Sequence, residues 1–327
     1  MAFTNTFDTT NPGSAVSNRE DLMDVLTILA PEETPVLSSA SKSKATATFV
    51  EWTVDSLSAP VTTGVAEGAD VTAFTDQFAG RARLGNYVQK FRRNFQVSDL
   101  QEAVESVGPA KVAQAEAKAV RELKRDIEAT LCSTNDRTVE DGAGAVYGLR
   151  GLGDWIDSAG PSDVPAAYRT PTASIHSTGA LAESSFNDLI TSIYRVTGTT
   201  NNLTLVADTA LRRVIADYAR TSGSTNTVYR QVTQSADSKT IKLSVEMYES
   251  DHGMVSIVNM NPDCAPDTTN KDSGYLLNPD YYGVAELISL GSSRLPNLGG
   301  GERGLVDCTL TLLMNHPGAH GKITAIA

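Results

Sequence analysis

Few residues in this 327-residue chain have the types and spacing that site chemistry requires. No serine lies in the strand-to-helix turn that exposes a catalytic nucleophile. The three cysteines, Cys132, Cys264 and Cys308, are far apart and have no histidine partner beside them in sequence. Asp and Glu residues are plentiful but spread over faces that we expect to be solvated, so their number selects no acid–base pair. The sequence predicts no catalytic residue.

Two segments have the composition of ligand sites but lack the geometry. The Gly-rich segment 297–304 has no Gly-Lys-Ser/Thr ending, and no capped helix follows it, so we interpret it as a flexible turn. His316 and His320 are four positions apart, but Pro317 and Gly318 prevent the helix that would bring them to one face. We therefore predict neither a metal nor a cofactor.

One basic cluster stands out from an acidic background. Five of the 27 Lys and Arg residues fall within 13 positions: Arg81, Arg83, Lys90, Arg92 and Arg93. They form either a solvated face or a surface that binds carboxylates of a neighbouring subunit, with Glu116, Glu122, Asp126 and Glu128 as the candidates. Nucleic-acid binding is a third interpretation, which the aromatics nearby do not favour. Tyr87, Phe91 and Phe95 share one strand face and resemble core residues.

Composition excludes several classes of protein. The chain has 39 Asp and Glu residues against 27 Lys and Arg, a net charge of −12, so its field repels a phosphate backbone. It has no run of about 18 apolar residues, which a transmembrane helix requires. The first residues lack the basic and apolar regions of a signal peptide. Three widely spaced cysteines favour reduced thiols over a disulfide framework.

The first elements that position the basic cluster are a polar arm and a hairpin. Residues 1–20 lack hydrophobic periodicity, and a short helix is predicted at 20–29. Alternation predicts strands at 45–57 and 81–97, separated by about twenty small and polar residues. Since a long two-stranded hairpin is marginal alone in water, we expect it to project and to be stabilised by another subunit.

A long amphipathic helix is predicted at 99–131, with Ser98 or Asp99 as its cap and a break or kink at Gly108-Pro109. Loops dominate 132–182. Helices at 184–196 and 208–220 then mix with strands at 203–207, 227–233, 240–248, 253–260, 273–277, 284–290 and 303–315. This order predicts an α+β fold without a doubly wound nucleotide-binding domain.

Two segments carry a resemblance to a known family. They are GNYVQKFRRNFQVSD, continuing into AKAVRELKRDIEATL, and GYLLNPDYYGVAELISLGSSRLPNLGGGERGLVDCTLTLLMNHPGAHGKI. Together they cover about a third of the chain. The sequence resembles the major capsid proteins of tailed bacteriophages with the HK97-type fold, in particular the SU10-like group. The resemblance implies a structural protein of the virion, not an enzyme.

The resemblance also implies a domain layout. Residues 1–41 would form the N-terminal arm and 42–96 the E-loop hairpin. Residues 97–182 would form the peripheral (P) domain with its long spine helix, 183–290 the axial (A) domain, and 291–327 the return to the P domain. Some relatives crosslink their shells through a lysine; Lys42, Lys44 and Lys90 lie in or beside the hairpin, but no crosslink motif is present.

The partners follow from the same resemblance. We expect hexamers and pentamers in an icosahedral head, assembled in the host bacterial cytoplasm around double-stranded DNA without sequence-specific binding. Only about forty residues precede the hairpin, so we expect a separate scaffolding protein, besides a portal and decoration proteins. The rival interpretations are an encapsulin-like nanocompartment shell, a soluble α+β hydrolase, and a phage tail or adhesin protein.

Overall fold

The computed structural model describes residues 33–104, 111–200, 202–218, 246–266, 270, 272–324 and 326. The predicted arm at 1–20, the helix at 20–29, the break at Gly108-Pro109, the strand at 227–233 and most of that at 240–248 lie outside these residues. Within the described part, no helix is long and apolar enough to cross a membrane.

The described elements alternate between helices and strands, which confirms the α+β prediction. The helices are α1 (Pro35–Ser39), α2 (Asp99–Ala103), α3 (Lys111–Cys132), α4 (Leu152–Trp155), α5 (Glu183–Thr197) and α6 (Thr209–Tyr218). The first strands are β1 (Ser41–Lys44), β2 (Phe49–Val54), β3 (Ala82–Tyr87), β4 (Gln89–Val97), β5 (Ile175–His176) and β6 (Leu203–Ala207). The others are β7 (Met247–Ser250), β8 (Gly253–Asn259), β9 (Gly274–Leu277), β10 (Tyr282–Leu295), β11 (Glu302–Met314) and β12 (Gly321–Ile323).

A four-stranded sheet in the order β1-β10-β11-β4 packs against helix α3. The helix buries Ala119, Leu123, Ile127 and Leu131, which recur every four residues and therefore lie on one face. Phe91 and Phe95 of β4 join the same apolar cluster. Helix α3 has 22 residues and is about 33 Å long, so it spans one face of this sheet.

A six-stranded mixed sheet in the order β5-β12-β9-β6-β8-β7 forms a second core with helices α5 and α6. Phe186 and Ile190 of α5 and Leu211 and Ile215 of α6 are all buried there. The predicted helices and the strand at 203–207 are confirmed. The predicted boundary at 290/291 falls inside β10, and the division of the chain into arm, hairpin, P and A domains stays a prediction.

The predicted hairpin is only partly correct. Strands β2 and β3 form a two-stranded antiparallel ribbon, but the predicted strand 81–97 divides at the buried Val88, whose N–H donates to the Thr48 carbonyl. Beyond that point β4 leaves the ribbon and pairs with β11. The physical reason is burial, because a two-stranded ribbon has no core that could cover Phe91 and Phe95, whereas α3 and the four-stranded sheet do.

The predicted helix 99–131 is described as two helices, α2 and α3, with residues 105–110 outside the description. The predicted Ser98 cap is confirmed, because its Oγ accepts the Gln101 N–H at 3.3 Å. Residues 297–301 of the Gly-rich segment connect β10 to β11, which agrees with the predicted turn, and its last three residues begin β11.

Candidate intersubunit surfaces

The basic residues at the base of the hairpin pair within the hairpin itself. Arg81 donates from Nε to Asp55 Oδ2 at 2.8 Å, and Arg83 Nη1 lies 3.5 Å from Glu51 Oε2. The hydrogen bond from Arg81 lowers the pKa of Asp55. Both arginines were candidates for contacts with a neighbour, but they join the two strands of their own ribbon.

Arg93 binds the spine helix of its own chain. Its guanidinium donates from Nε and Nη2 to the two carboxylate oxygens of Asp126, at 2.6 and 2.7 Å, and lies 3.9 Å from Glu122. The hydrogen bond with Asp126 raises the pKa of Arg93. Arg93, Glu122 and Asp126 therefore meet within one chain, and a contact of these residues across two subunits stays a prediction. Phe91 and Phe95 pack β4 onto α3, which brings the alternate residue Arg93 to the helix.

Glu128 is fully buried and also serves its own chain. Its two carboxylate oxygens accept the backbone N–H groups of Val36 and Leu37 at 2.8 and 2.9 Å. These N–H groups belong to the first turn of α1, where a helix has no internal acceptors. Burial nevertheless raises the pKa of Glu128. Glu128 is thus an internal anchor for α1 in the single chain, and its contact with a neighbouring subunit stays a prediction.

The remaining predicted residues are more accessible. Lys90 lies 3.4 Å from Asp307 on the neighbouring strand β11. Arg92 is exposed and has no ion pair with a residue that the structure describes. Glu116 is half-buried on α3, likewise without an ion pair among the described residues. Arg92 is therefore the member of the basic cluster that has no ion pair with a described residue, and Lys90 has one, with Asp307.

Asn86 and Arg150 hold the hairpin against the rest of the chain, and neither was among the predicted contact residues. Asn86 of β3 is fully buried, donates to the Leu312 carbonyl at 3.0 Å and accepts the Arg150 N–H at 2.9 Å. The side chain of Arg150 is 2% exposed and binds three carboxylates, those of Asp136, Asp154 and Asp163, at 2.6 to 2.9 Å. Burial alone would raise the pKa of Asp163, but the hydrogen bonds from Arg150 lower it. No local sequence signal marks these contacts, since Asn86 and Arg150 are 64 positions apart.

Beyond this base, the hairpin tip (residues 56–80) is exposed throughout. It presents large apolar side chains to solvent, including Leu57 at 100% and Phe74 at 91% exposure. The others are Val61, Val65, Val71 and Phe78. Six large apolar side chains exposed within one 25-residue segment indicate an interaction surface.

The side chains with potential for site chemistry pack in the interior. His320 is fully buried, its Nδ1 accepts the Asn278 N–H at 3.2 Å, and burial lowers its pKa to about 3. The three cysteines are free and buried, as predicted for reduced thiols. Among the described residues, no group of three or more His, Cys, Asp or Glu side chains is arranged to hold a metal ion.

The sequence and the fold of this chain are similar to those of known proteins. The model of the SU10 major capsid protein family matches residues 2–327. None of the curated proteins matches the sequence. In structure, the chain is similar to the capsid of the native GTA particle, with a TM-score of 0.64, 13% identity, and coverage of 98% of this chain and 99% of that chain.

Two phage structures give the same result. The capsid asymmetric unit of cyanophage A-1(L) is similar with a TM-score of 0.63 and 15% identity over 97% of this chain and 98% of that one. A chain of Mycobacterium phage Bobi is similar with a TM-score of 0.63 and 11% identity over the same shares. These likenesses confirm the HK97-type fold, and nothing in the comparisons supports the nanocompartment or hydrolase alternatives. The chain belongs to the SU10 major capsid protein family, and it is a structural protein of a tailed-phage capsid, not an enzyme.

Proposed function

We propose that copies of the chain form hexamers and pentamers that close into the icosahedral head around double-stranded DNA, with each hairpin tip laid on a neighbouring subunit. Contacts of this kind are heterologous, because the tip of one copy meets a different surface of the next. Head-to-tail contacts of this type close into rings when the rotation between subunits allows it.

The exposure of the tip is the observation that carries the proposal. Fully burying one large aliphatic or aromatic side chain stabilises an assembly by about 1.5–3 kcal/mol before ordering costs are subtracted. The tip presents six such side chains to solvent, and none of them belongs to either apolar core of its own chain. A subunit that binds the tip therefore gains contact energy that the isolated chain does not have.

The exposed end of the β10–β11 hairpin provides a second apolar surface for contacts with other subunits. Ile288, Leu290 and Leu295 of β10 and Leu298 in the following turn are all exposed. They lie on the far part of the β10–β11 hairpin, away from the buried half of β10. Two exposed apolar extensions on one subunit are consistent with several neighbours around it.

The charge supports enclosure of DNA without sequence-specific binding. A chain with a net charge of −12 repels packaged DNA at long range, which favours a mobile genome inside the shell. We expect the inner wall to be acidic, and a mapped inner surface that proved net basic would contradict this part of the proposal. A separate scaffolding protein, a portal, decoration proteins and assembly in the host cytoplasm stay predictions.

Electron microscopy and sedimentation of the purified full chain test the proposal, first alone and then co-expressed with the neighbouring phage genes. We expect closed shells or rings of six and five subunits in the co-expressed sample. Closed shells from the chain alone would contradict the prediction of a separate scaffolding protein. A dispersed monomer under both conditions would refute the proposed assembly.

A matched pair of variants tests the role of the tip. Phe74→Ser should abolish or strongly reduce assembly and leave the circular dichroism spectrum and melting temperature of the subunit unchanged. Val146→Ser is the control, because Val146 is also exposed, at 70%, but lies in a different loop. If Phe74→Ser assembled as well as Val146→Ser, the tip would not be a contact surface.

A further inference from the structure

We propose that the hairpin tip of one subunit binds a basic strip on the sheet of a second copy, formed by Lys90 and Arg92 of β4 and Arg303 of β11. This inference rests on the proposed function, in which the tip lies on a neighbouring subunit, and it names the surface that receives the tip. The strip lies on the face of the four-stranded sheet opposite helix α3.

The strand register defines this face. Alternate residues of a strand point to opposite sides of the sheet, and Phe91, Arg93 and Phe95 point towards α3. Lys90 and Arg92 therefore point to the other side. On β11, Asp307 pairs with Arg92 and Arg303 pairs with Gln96, so both β11 residues share this second face.

The strip has an excess of positive charge in an acidic protein. Along β4 and β11 it contains three cations and one carboxylate, that of Asp307, which lies 3.4 Å from Lys90. Arg92 is exposed and has no ion pair with a described residue. Arg303 donates from Nε to the Pro296 carbonyl at 2.9 Å, which holds its guanidinium at the end of the strip. Leu305, half-buried between Arg303 and Asp307 on the strand, adds an apolar contact.

The other basic residues of the cluster do not lie on this face of the sheet. Arg81 and Arg83 pair with carboxylates of the β2–β3 ribbon, and Arg93 points to α3, where its guanidinium donates to both carboxylate oxygens of Asp126. Arg81, Arg83 and Arg93 are therefore not part of the proposed docking surface, which consists of the strip.

The tip has the complementary charge. Residues 56–80 contain Glu67, Asp70 and Asp76 and no Lys or Arg. Asp76 accepts the Phe78 N–H at 2.9 Å, whereas Glu67 and Asp70 have no partner among the described residues. The acids alternate with exposed apolar residues, including Val71 and Phe74. Opposite charges on the two surfaces select the register of docking, and the apolar side chains provide most of the contact area.

Charge reversal with rescue tests the proposal in the full chain under conditions where the wild type assembles. Lys90→Glu with Arg92→Glu should raise the protein concentration needed for assembly by about tenfold or more. Combining it with Glu67→Lys, Asp70→Lys and Asp76→Lys in the tip should restore assembly. Lys124→Glu is the control, since Lys124 is exposed on α3 and has no ion pair with a described residue. Thermal unfolding of each unassembled variant shows whether the subunit is folded.

A crosslinking experiment locates the contact directly. Shells assembled from a mixture of nitrogen-14 and nitrogen-15 subunits are treated with a carbodiimide, which joins a lysine amine to a carboxylate that touches it. We expect mixed-isotope crosslinks from Lys90 to Glu67 or Asp70. Crosslinks from the tip to Lys118 or Lys124 on α3 would overturn the proposal.

The outcomes separate this inference from the proposed function. Normal assembly of the reversed strip would overturn the docking surface and leave the capsid function intact. Normal assembly with loss of retained DNA would assign the strip to nucleic acid, which also overturns the inference. A wild-type chain that never assembles would refute both.

Discussion

Replacing Glu128 with alanine should destabilise the isolated subunit without removing any surface group. The substitution leaves the buried N–H groups of Val36 and Leu37 without acceptors, and each such loss costs about 1–3 kcal/mol. Part of this cost is offset, because the fold no longer buries a carboxylate whose pKa is raised by desolvation. We therefore expect the free energy of unfolding to fall by about 2–4 kcal/mol.

Glu128→Gln should have a smaller effect and a different pH dependence. Its single amide oxygen can accept one N–H, while its NH₂ group faces the other, so we expect a loss of about 1–2 kcal/mol at neutral pH. In the wild type, the raised pKa of Glu128 means that folding favours the protonated form. Its contribution to stability is fully present below the unfolded value of 4.5 and is lost as pH rises through the folded pKa. Glu128→Gln should remove this component.

Other groups around Glu128 do not obscure this window. Burial raises the pKa of Cys132, of Cys264 to about 11 and of Tyr282 to about 12, so all three stay neutral in acid. Urea unfolding of the unassembled subunit from about pH 4 to about pH 8, followed by circular dichroism, measures the effect. Limited proteolysis at residues 33–40 reports release of α1.

The matched control for these variants is Glu116→Ala on the same helix, which should change stability by no more than about 0.5 kcal/mol. If Glu128→Ala left the stability of the subunit unchanged but prevented assembly, Glu128 would act between subunits, and the reasoning from its buried hydrogen bonds would be refuted.

Three further predictions concern the stability of the unassembled subunit. Arg150→Ala leaves three aspartates without their buried cation, so the free energy of unfolding in urea should fall by about 3–5 kcal/mol. Arg294→Ala breaks an exposed ion pair and should lower it by less than about 1 kcal/mol. Equal losses for the two variants would contradict this prediction. The pKa of His320 is lowered to about 3, so its contribution to stability is present above pH 6.5 and is lost as the pH falls towards 3. In acid titrations of the free energy of unfolding, His320→Asn should therefore show a smaller decline over this range than the wild type. Phe186→Ala in the second core should cost about 3–5 kcal/mol by calorimetry, while Phe74→Ala at the exposed tip should stay within about 0.5 kcal/mol. A reversed order would disprove the assignment of core and tip.

The spacing of apolar residues along the sequence predicted the helices and strands whose buried faces are formed by residues close in sequence. The helical spacing of apolar side chains predicted a helix at 99–131 with a break or kink at Gly108-Pro109, and α2 and α3 lie within that range. The sequence also predicted the helix at 184–196, which is α5, and the short apolar strand at 203–207, which is β6. These predictions held because a helix or strand face depends on residues close in sequence. The family resemblance rested on two segments, and the match over residues 2–327 confirms it.

The tertiary structure alone decided which partner each element and each charge would take. Alternation could not show that the strand 81–97 changes sheets at Val88, because the same pattern suits a ribbon or a packed sheet. Likewise, the sequence named Arg93 and Glu128 as candidates for contacts with a neighbouring subunit but could not show that they have partners in their own chain. Arg93 meets Asp126 only after β4 packs on α3, and Glu128 meets Val36 across 92 positions. Contacts over such separations depend on how the chain folds back on itself, which no local pattern records.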